Sequence, residues 1–289
     1  MFKNINKLTV LAPAKVNLHL AVLDRRPDGF HNIESVFLAV DFADILCFEL
    51  INRENAVEII METGYIPIPL ENNIIFKALS LFKSKTGFSK GLRISVNKRI
   101  PIGGGLGGGS SNAASALFAL NKLAGNPLNR DLLPEMGASL GSDVPFFLQN
   151  AAAALVTGRG EKIEALSPSC LYLTLVNPGF SSDTAAAYRL LDKKREGKEI
   201  ERKPLEKKIA FDAFYNDFLP VFEEPESAVY NEIISELKSS GAEYANLSGS
   251  GSTCFGIFRD KAKAQKAAKT LKKKWNFSEF CCSCKKLSM

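Results

Sequence analysis

The chain has 289 residues, 46% of them apolar, which suits one large or two modest soluble domains. No apolar run is long enough to span a bilayer, which excludes a helical membrane protein. The net charge of +6 is compatible with a protein that handles polyphosphates and is too mild to prove it.

The opening residues hold one short apolar patch and no signal-peptide architecture, so a cytoplasmic protein is expected. Residues 7–13 and 16–23 read as short apolar strands. Residues 24–29 form a turn rich in Pro, Asp and Gly, and 34–40 and 44–50 again read as strands. Residues 73–86 fit an amphipathic helix, with Ile74, Ile75, Ala78, Leu79 and Phe82 on one face. Leu92, Ile94, Val96 and Ile100 then alternate with Arg93, Ser95, Asn97 and Arg99. This describes a strand with one wet face, as antiparallel sheets have.

A glycine-rich loop follows, opening on Pro101. Gly103, Gly104, Gly105, Leu106, Gly107, Gly108 and Gly109 lead directly into Ser110, Ser111, Asn112 and an alanine-rich helix reaching 124. Glycines let the backbone turn its N–H groups inward and approach a ligand closely. A helix opening from such a loop offers unpaired N–H groups and a positive dipole end, a seat for phosphate; the plain alternative is a flexible turn. No lysine follows Gly109, which rejects the Walker loop. Gly103, Gly105 and Gly108 match the dinucleotide fingerprint formally, but the half-wet strand before them argues against a dinucleotide fold. The protein-kinase loop lies in a hairpin between strands, whereas this one runs into a helix.

Further on, a second helix is expected at 129–140 and a small-residue strand at 152–156. A fully apolar strand at 171–176 opens a second region. Residues 192–208 are densely charged and weakly periodic, as a mobile surface segment would be. A helix at 227–239, a second glycine loop at 245–254, a strand at 254–258, a helix at 261–274 and a short last strand complete the chain. Strands and helices mixed without strict alternation indicate an α+β protein, and no internal repeat is visible.

The six cysteines form no spaced framework and read as free thiols. Cys281 and Cys284 make a formal C-x-x-C, but no second pair stands at zinc-ligand spacing. The basic stretch 261–274 alternates lysine with alanine at helical spacing. No aromatics are interleaved, so a solvated face is expected there and no nucleic-acid partner.

The loop resembles the phosphate-binding motif of the GHMP small-molecule kinases: a proline, small residues, Gly105-Leu106, then Ser110-Ser111-Asn112-Ala113. Three further segments extend the likeness over nearly the whole chain. They run from Pro13 through Lys15 and Asn17 to Leu20, from Leu140 through Asp143 to Phe147, and from Asn246 through Ser248 and Gly251 to Thr253. The first of these, together with the turn Asp28-Gly29-Phe30-His31, is similar to one branch in particular. That branch phosphorylates a tertiary hydroxyl on a cytidine diphosphate ester of methylerythritol, on the non-mevalonate route to isoprenoid precursors.

The resemblance implies a two-lobed α+β fold with the active site in the cleft between lobes 1–165 and 166–289. It implies ATP and Mg²⁺ as cofactors, a small-molecule acceptor, no membrane partner, and a monomer or weak homodimer. Pro101 and residues 103–111 would hold the ATP phosphates, with no rigid protein cage for the metal. Asp143 matches the family's catalytic aspartate; alone it would read equally well as a helix cap. Lys15 matches the catalytic lysine. Alone it would read as a surface lysine, but it lies on an apolar strand, an expensive place for an unpartnered charge.

Asn17 is the candidate donor to the acceptor's diphosphate or erythritol, and Thr184 a weaker one. Gly249, Ser250 and Gly251 would close over the acceptor side. Phe30 and His31 occupy the base-recognition turn, with Tyr188 placed to stack on the base's other face; His31 alone would read as a structural histidine. Phe30 stands where the family often has tyrosine, so it can stack but lacks a phenolic hydroxyl. Ser142 replaces a common alanine. The rivals are a GHMP kinase for homoserine or a sugar, a silent ligand-binding protein of the same fold, and, distantly, a dehydrogenase.

Overall fold

The structure, a computed structural model, describes residues 6–62, 69–149, 151–196, 205 and 211–284. Two antiparallel strands, β1 (Lys7–Arg25) and β2 (His31–Ile51), form one long hairpin that organises the first sheet. The sequence suggests two short strands in place of each. Each is instead continuous, and register shifts at Pro13/Ala14 and Asn17/His19 let the pair bend without breaking. β3 (Val57–Met61) and β4 (Gly91–Asn97) extend the sheet on one side of β2, and β5 (Ala153–Gly158) and β6 (Lys162–Leu166) on the other. β3 and β6 are additions to the strands read from the sequence. β4 shows the expected alternation, with Leu92, Ile94 and Val96 buried. It pairs antiparallel with β2 but parallel with β3, so the sheet is mixed.

Two helices cover this sheet. α1 (Ile74–Thr86) starts where the Asn73 side chain accepts from the Ile75 N–H, and it stops at Gly87 in the left-handed region. α2 (Gly108–Leu123) packs on α1, β1 and β2 and is buried on nearly every side. Its run of alanines favours helix and lets neighbouring backbones approach closely. The helix expected at 129–140 is broken. A 3₁₀ turn at Arg130–Leu132 precedes α3 (Leu133–Ala138), and after a loop carrying Asp143, α4 (Val144–Leu148) begins.

The second sheet orders β10 (Phe277–Cys282), β7 (Tyr172–Asn177), β9 (Cys254–Phe258) and β8 (Tyr244–Leu247), all antiparallel. α7 (Lys261–Leu271) lies on β7 and β10, and α6 (Glu226–Ser239) on β8 and β9. α5 (Thr184–Arg195) follows β7, its first N–H groups capped by Asp183. The charged stretch 192–208 lies mostly outside the described residues. Its first four residues are the last turn of α5 and not a loose segment.

The two halves are joined by more than the chain. Arg195 of α5 donates to the Val22 carbonyl at 2.7 Å and pairs with Asp217 at 2.7 Å, and Asp217 also accepts from the Val22 N–H at 2.7 Å. Among the described residues, no helix is long and apolar enough to cross a membrane.

Candidate active site

A cleft of 1840 Å³ runs between the halves. Its floor is the junction of the two glycine loops. Lys15 on β1 donates its backbone N–H to the Leu106 carbonyl at 3.0 Å, which pins the first loop to the strand. The second loop then locks onto the first: Thr253 N–H donates to the Gly104 carbonyl at 3.1 Å, and Ser248 Oγ to the Gly105 carbonyl at 2.9 Å. A Cβ on Gly105 would lie 2.1 Å from the Ser248 carbonyl oxygen, so only glycine permits this approach.

Gly107, at φ 67°, caps α2 through backbone conformation alone, and no side chain takes up the helix's first N–H groups. Those of Gly108, Gly109 and Ser110 therefore lack an intrahelical partner at the positive end of the dipole. A Cβ on Gly109 would meet nothing within 4 Å, so this end is open. Two buried oxygens nearby, Ser111 Oγ and Asn112 Oδ1, have no hydrogen-bond partner. Asn112 and Ser110 line the cleft, whereas Ser111 is buried behind it.

Lys15 is 4% exposed, and its ammonium finds the partners its burial requires. Nζ donates to Asn17 Oδ1 at 2.5 Å, lies 3.4 Å from Asp143 Oδ2, and sits 4.6 Å from the centre of the Phe37 ring. Asp143 stands at the cap position of α4, yet its carboxylate caps nothing and faces the lysine. Asn17 is committed inward. Besides holding Lys15, it donates to Ser35 Oγ at 2.9 Å, so its amide positions the lysine as well as bordering the cleft.

Of the residues expected on the acceptor side, Gly249, Ser250 and Thr184 line the cleft, and Thr184 Oγ1 lies 2.9 Å from Ser250 Oγ. Gly251 does not line it; it sits behind the loop, where a Cβ would be 2.9 Å from the Tyr230 hydroxyl. At the far end, Phe30 is 52% exposed on the hairpin turn. His31 stacks on Tyr188, with ring centres 5.1 Å apart and planes 18° from parallel, too close to admit a base between them. A base between Phe30 and Tyr188 must therefore share Tyr188 with His31 or displace that ring. Burial, followed by the carboxylates of Asp143 and Asp192, pushes the Tyr188 phenol up to about 12, so it stays neutral.

Several residues at this site carry no signal in the sequence. Asp192 of α5 accepts from or pairs with His31 Nε2 at 2.8 Å, tying the turn to the second half. Asp44, fully buried on β2, accepts from the N–H groups of Arg99 and Ile100 at 2.7 and 2.8 Å and pairs with Lys98. Lys98 lines the cleft beside Gly108, and burial pulls its ammonium below the usual lysine value although Asp44 opposes this. Asp44 and Asp192 stand in segments without any motif, so only the fold reveals them.

Among the described residues, no group of three or more His, Cys, Asp or Glu could hold a metal. The oxygen donors present, Ser110 Oγ and the Asp143 carboxylate, suit a hard cation that takes most of its ligands from phosphates and water.

The GHMP kinases N terminal domain profile matches residues 73–155, and the GHMP kinases C terminal profile matches residues 207–276. A 4-diphosphocytidyl-2-C-methyl-D-erythritol kinase from Thermodesulfovibrio yellowstonii is 39% identical over 280 residues, covering 93% of this chain and 95% of the relative. One from Treponema pallidum is 38% identical over 285 residues, covering 94% and 97%. A crystal structure of a 4-(cytidine 5'-diphospho)-2C-methyl-D-erythritol kinase superposes with a TM-score of 0.76 at 28% identity, covering 96% of this chain and all of that one. A homoserine kinase from Cytophaga hutchinsonii shares the fold at a TM-score of 0.69 and 19% identity.

Proposed function

The chain belongs to the GHMP kinases and, within them, to the 4-diphosphocytidyl-2-C-methyl-D-erythritol kinases, and from that premise we propose how its own residues carry the reaction. The reaction is transfer of a phosphoryl group to the 2-hydroxyl of 4-diphosphocytidyl-2-C-methyl-D-erythritol, giving the 2-phosphate. ATP is the donor, and its phosphates seat on the N–H groups of the first glycine loop and the open end of α2. The observation that carries the assignment of roles is the Lys15–Asp143 pair, 3.4 Å apart, beside that open helix end.

In phosphoryl transfer the protein mainly positions groups and neutralises charge. The Asp143 carboxylate accepts the hydroxyl proton as the O–P bond forms. Lys15, held by Asn17, orients the acceptor oxygen and stabilises the negative charge gathering on the transferred group. Gly249 and Ser250 close the acceptor side, and Phe30, His31 and Tyr188 receive the cytosine. Ser110 and Asp143, with the donor's phosphates, would hold Mg²⁺, which when bound would supply charge neutralisation on the phosphate oxygens. The division between the lobes, expected at 165/166, lies just beyond that point, in the connection from β6, which ends at Leu166, to β7.

Phosphorus NMR of the protein with Mg-ATP and the cytidylyl acceptor tests this, with homoserine, mevalonate and galactose in parallel. A new phosphomonoester signal with the cytidylyl acceptor alone is expected. A signal with another acceptor would overturn the specificity. ATP binding without turnover of any acceptor would instead favour a silent ligand-binding protein.

A further inference from the structure

Resting on the cytidine assignment above, we infer that Arg159 is a positioning residue for base recognition: its guanidinium backs Phe30 so that the ring's other face is presented to the cytosine. Arg159 Cζ lies 5.0 Å from the centre of the Phe30 ring, and both residues line the cleft. Phe30 needs such support. It stands on a hairpin turn, half exposed, and among the described residues no other aromatic ring packs on it. A planar, delocalised guanidinium suits a ring face in a way a compact ammonium does not.

The arginine is itself held from behind. It occupies the turn between β5 and β6, where its backbone N–H donates to the Glu161 carboxylate at 2.6 Å. The next residue, Gly160, has φ 129° and packs on Ser142: a Cβ there would lie 3.0 Å from Ser142 Cβ and 3.1 Å from its carbonyl oxygen. Ser142 precedes Asp143. One tight turn therefore spans from the aromatic ring at the base end to the loop bearing the carboxylate at the reacting end. Through it, Arg159 sets where the base stacks relative to where the hydroxyl reacts. Asp28 caps the Phe30 turn by accepting its N–H at 3.2 Å, and its charge is taken up by Arg26 at 2.9 Å, so Arg159 stays available to the ring.

Steady-state kinetics of R159A, R159K, F30L and the R159A/F30L double variant test the inference, with melting temperatures checking that each variant folds. R159A is expected to raise the KM for the cytidylyl acceptor about three- to tenfold, with kcat and the KM for ATP unchanged. R159K should fall between R159A and the unaltered chain. In the F30L background, R159A should add nothing, because the ring it supports is gone. An unchanged acceptor KM in R159A refutes the inference while leaving the assigned activity intact. A full R159A effect in the F30L background also refutes it, and would place the guanidinium on the acceptor's diphosphate instead. Failure of the unaltered chain to phosphorylate the acceptor at all refutes the activity and this inference together.

Discussion

Gly105→Ala tests whether the two glycine loops act as one part. The new Cβ would sit 2.1 Å from the Ser248 carbonyl oxygen and 2.8 Å from that of Gly251, where real Cβ contacts stay above 3.0 Å. Both obstacles are backbone, so the loops must part by about 1 Å. Residue 105 is at φ 73°, where any L side chain costs about 1–2 kcal/mol. Parting the loops also stretches the Ser248 Oγ bond to the Gly105 carbonyl, at about 1–3 kcal/mol for a buried polar group left unpaired. The sum is a loss of about 2–5 kcal/mol, read as a lowered urea midpoint with unchanged slope. A displacement of this size should cost kcat about 10²-fold. Gly109→Ala is the control. Its Cβ meets nothing and its φ is ordinary, so stability should stay within about 0.5 kcal/mol while the KM for ATP rises, because the methyl stands where phosphate approaches. Native stability and native kcat in Gly105→Ala would refute the account of the interlocked loops.

Asp143→Asn should lower kcat about 10²–10⁴-fold with ATP affinity retained, as single-turnover and binding measurements would show. Lys15→Met should abolish turnover yet shift the melting temperature little, since it removes a buried charge whose partner Asp143 still reaches solvent; a large destabilisation would mean the pair is structural. The Tyr188 phenol is raised in the folded protein to about 12 from 10, so its contribution to stability is complete below pH 10 and is lost as pH rises from 10 to 12. Across that window Tyr188→Phe should flatten the alkaline stability curve by roughly 1.4 kcal/mol for each pH unit; an unchanged curve would contradict the burial of the phenol. Asp192→Ala should raise the acceptor KM through loss of the His31 contact and spare the KM for ATP; an equal rise in both would assign Asp192 to holding the halves together.

Short-range signals are legible in the sequence, and pairing over distance is not. The alternation of β4, the apolar stripe of α1 and the junction of glycine loop and α2 are each written within a dozen residues, and all three are found in place. The long hairpin reads as four strands, because Pro13 and the charged break at Asp41 resemble ends when the partner strand is unseen. β6 escapes because its residues, exposed or half-exposed at a sheet edge, carry no apolar alternation. At the site, the apolar strand shows only that Lys15 needs a partner, and the family resemblance names Asp143 as that partner. The sequence cannot show that Asn17 divides its amide between that lysine and Ser35, because Ser35 comes from the partner strand. Nor can it show that Gly251 faces away from the cleft, since that direction is set by packing against Tyr230.

The hydrogen bonds joining the two glycine loops have a consequence for how the molecule works. The donor loop comes from the first half of the chain and the clasp over it from the last fifth. The first loop is thus held in shape by residues of the second half, so a fragment ending between the two loops is expected to be inactive. Rotation of the halves about a hinge would tear this clasp first. Substrates and products would therefore exchange through the open flanks of the cleft, where Phe30 and Ile102 are exposed, while the floor stays shut.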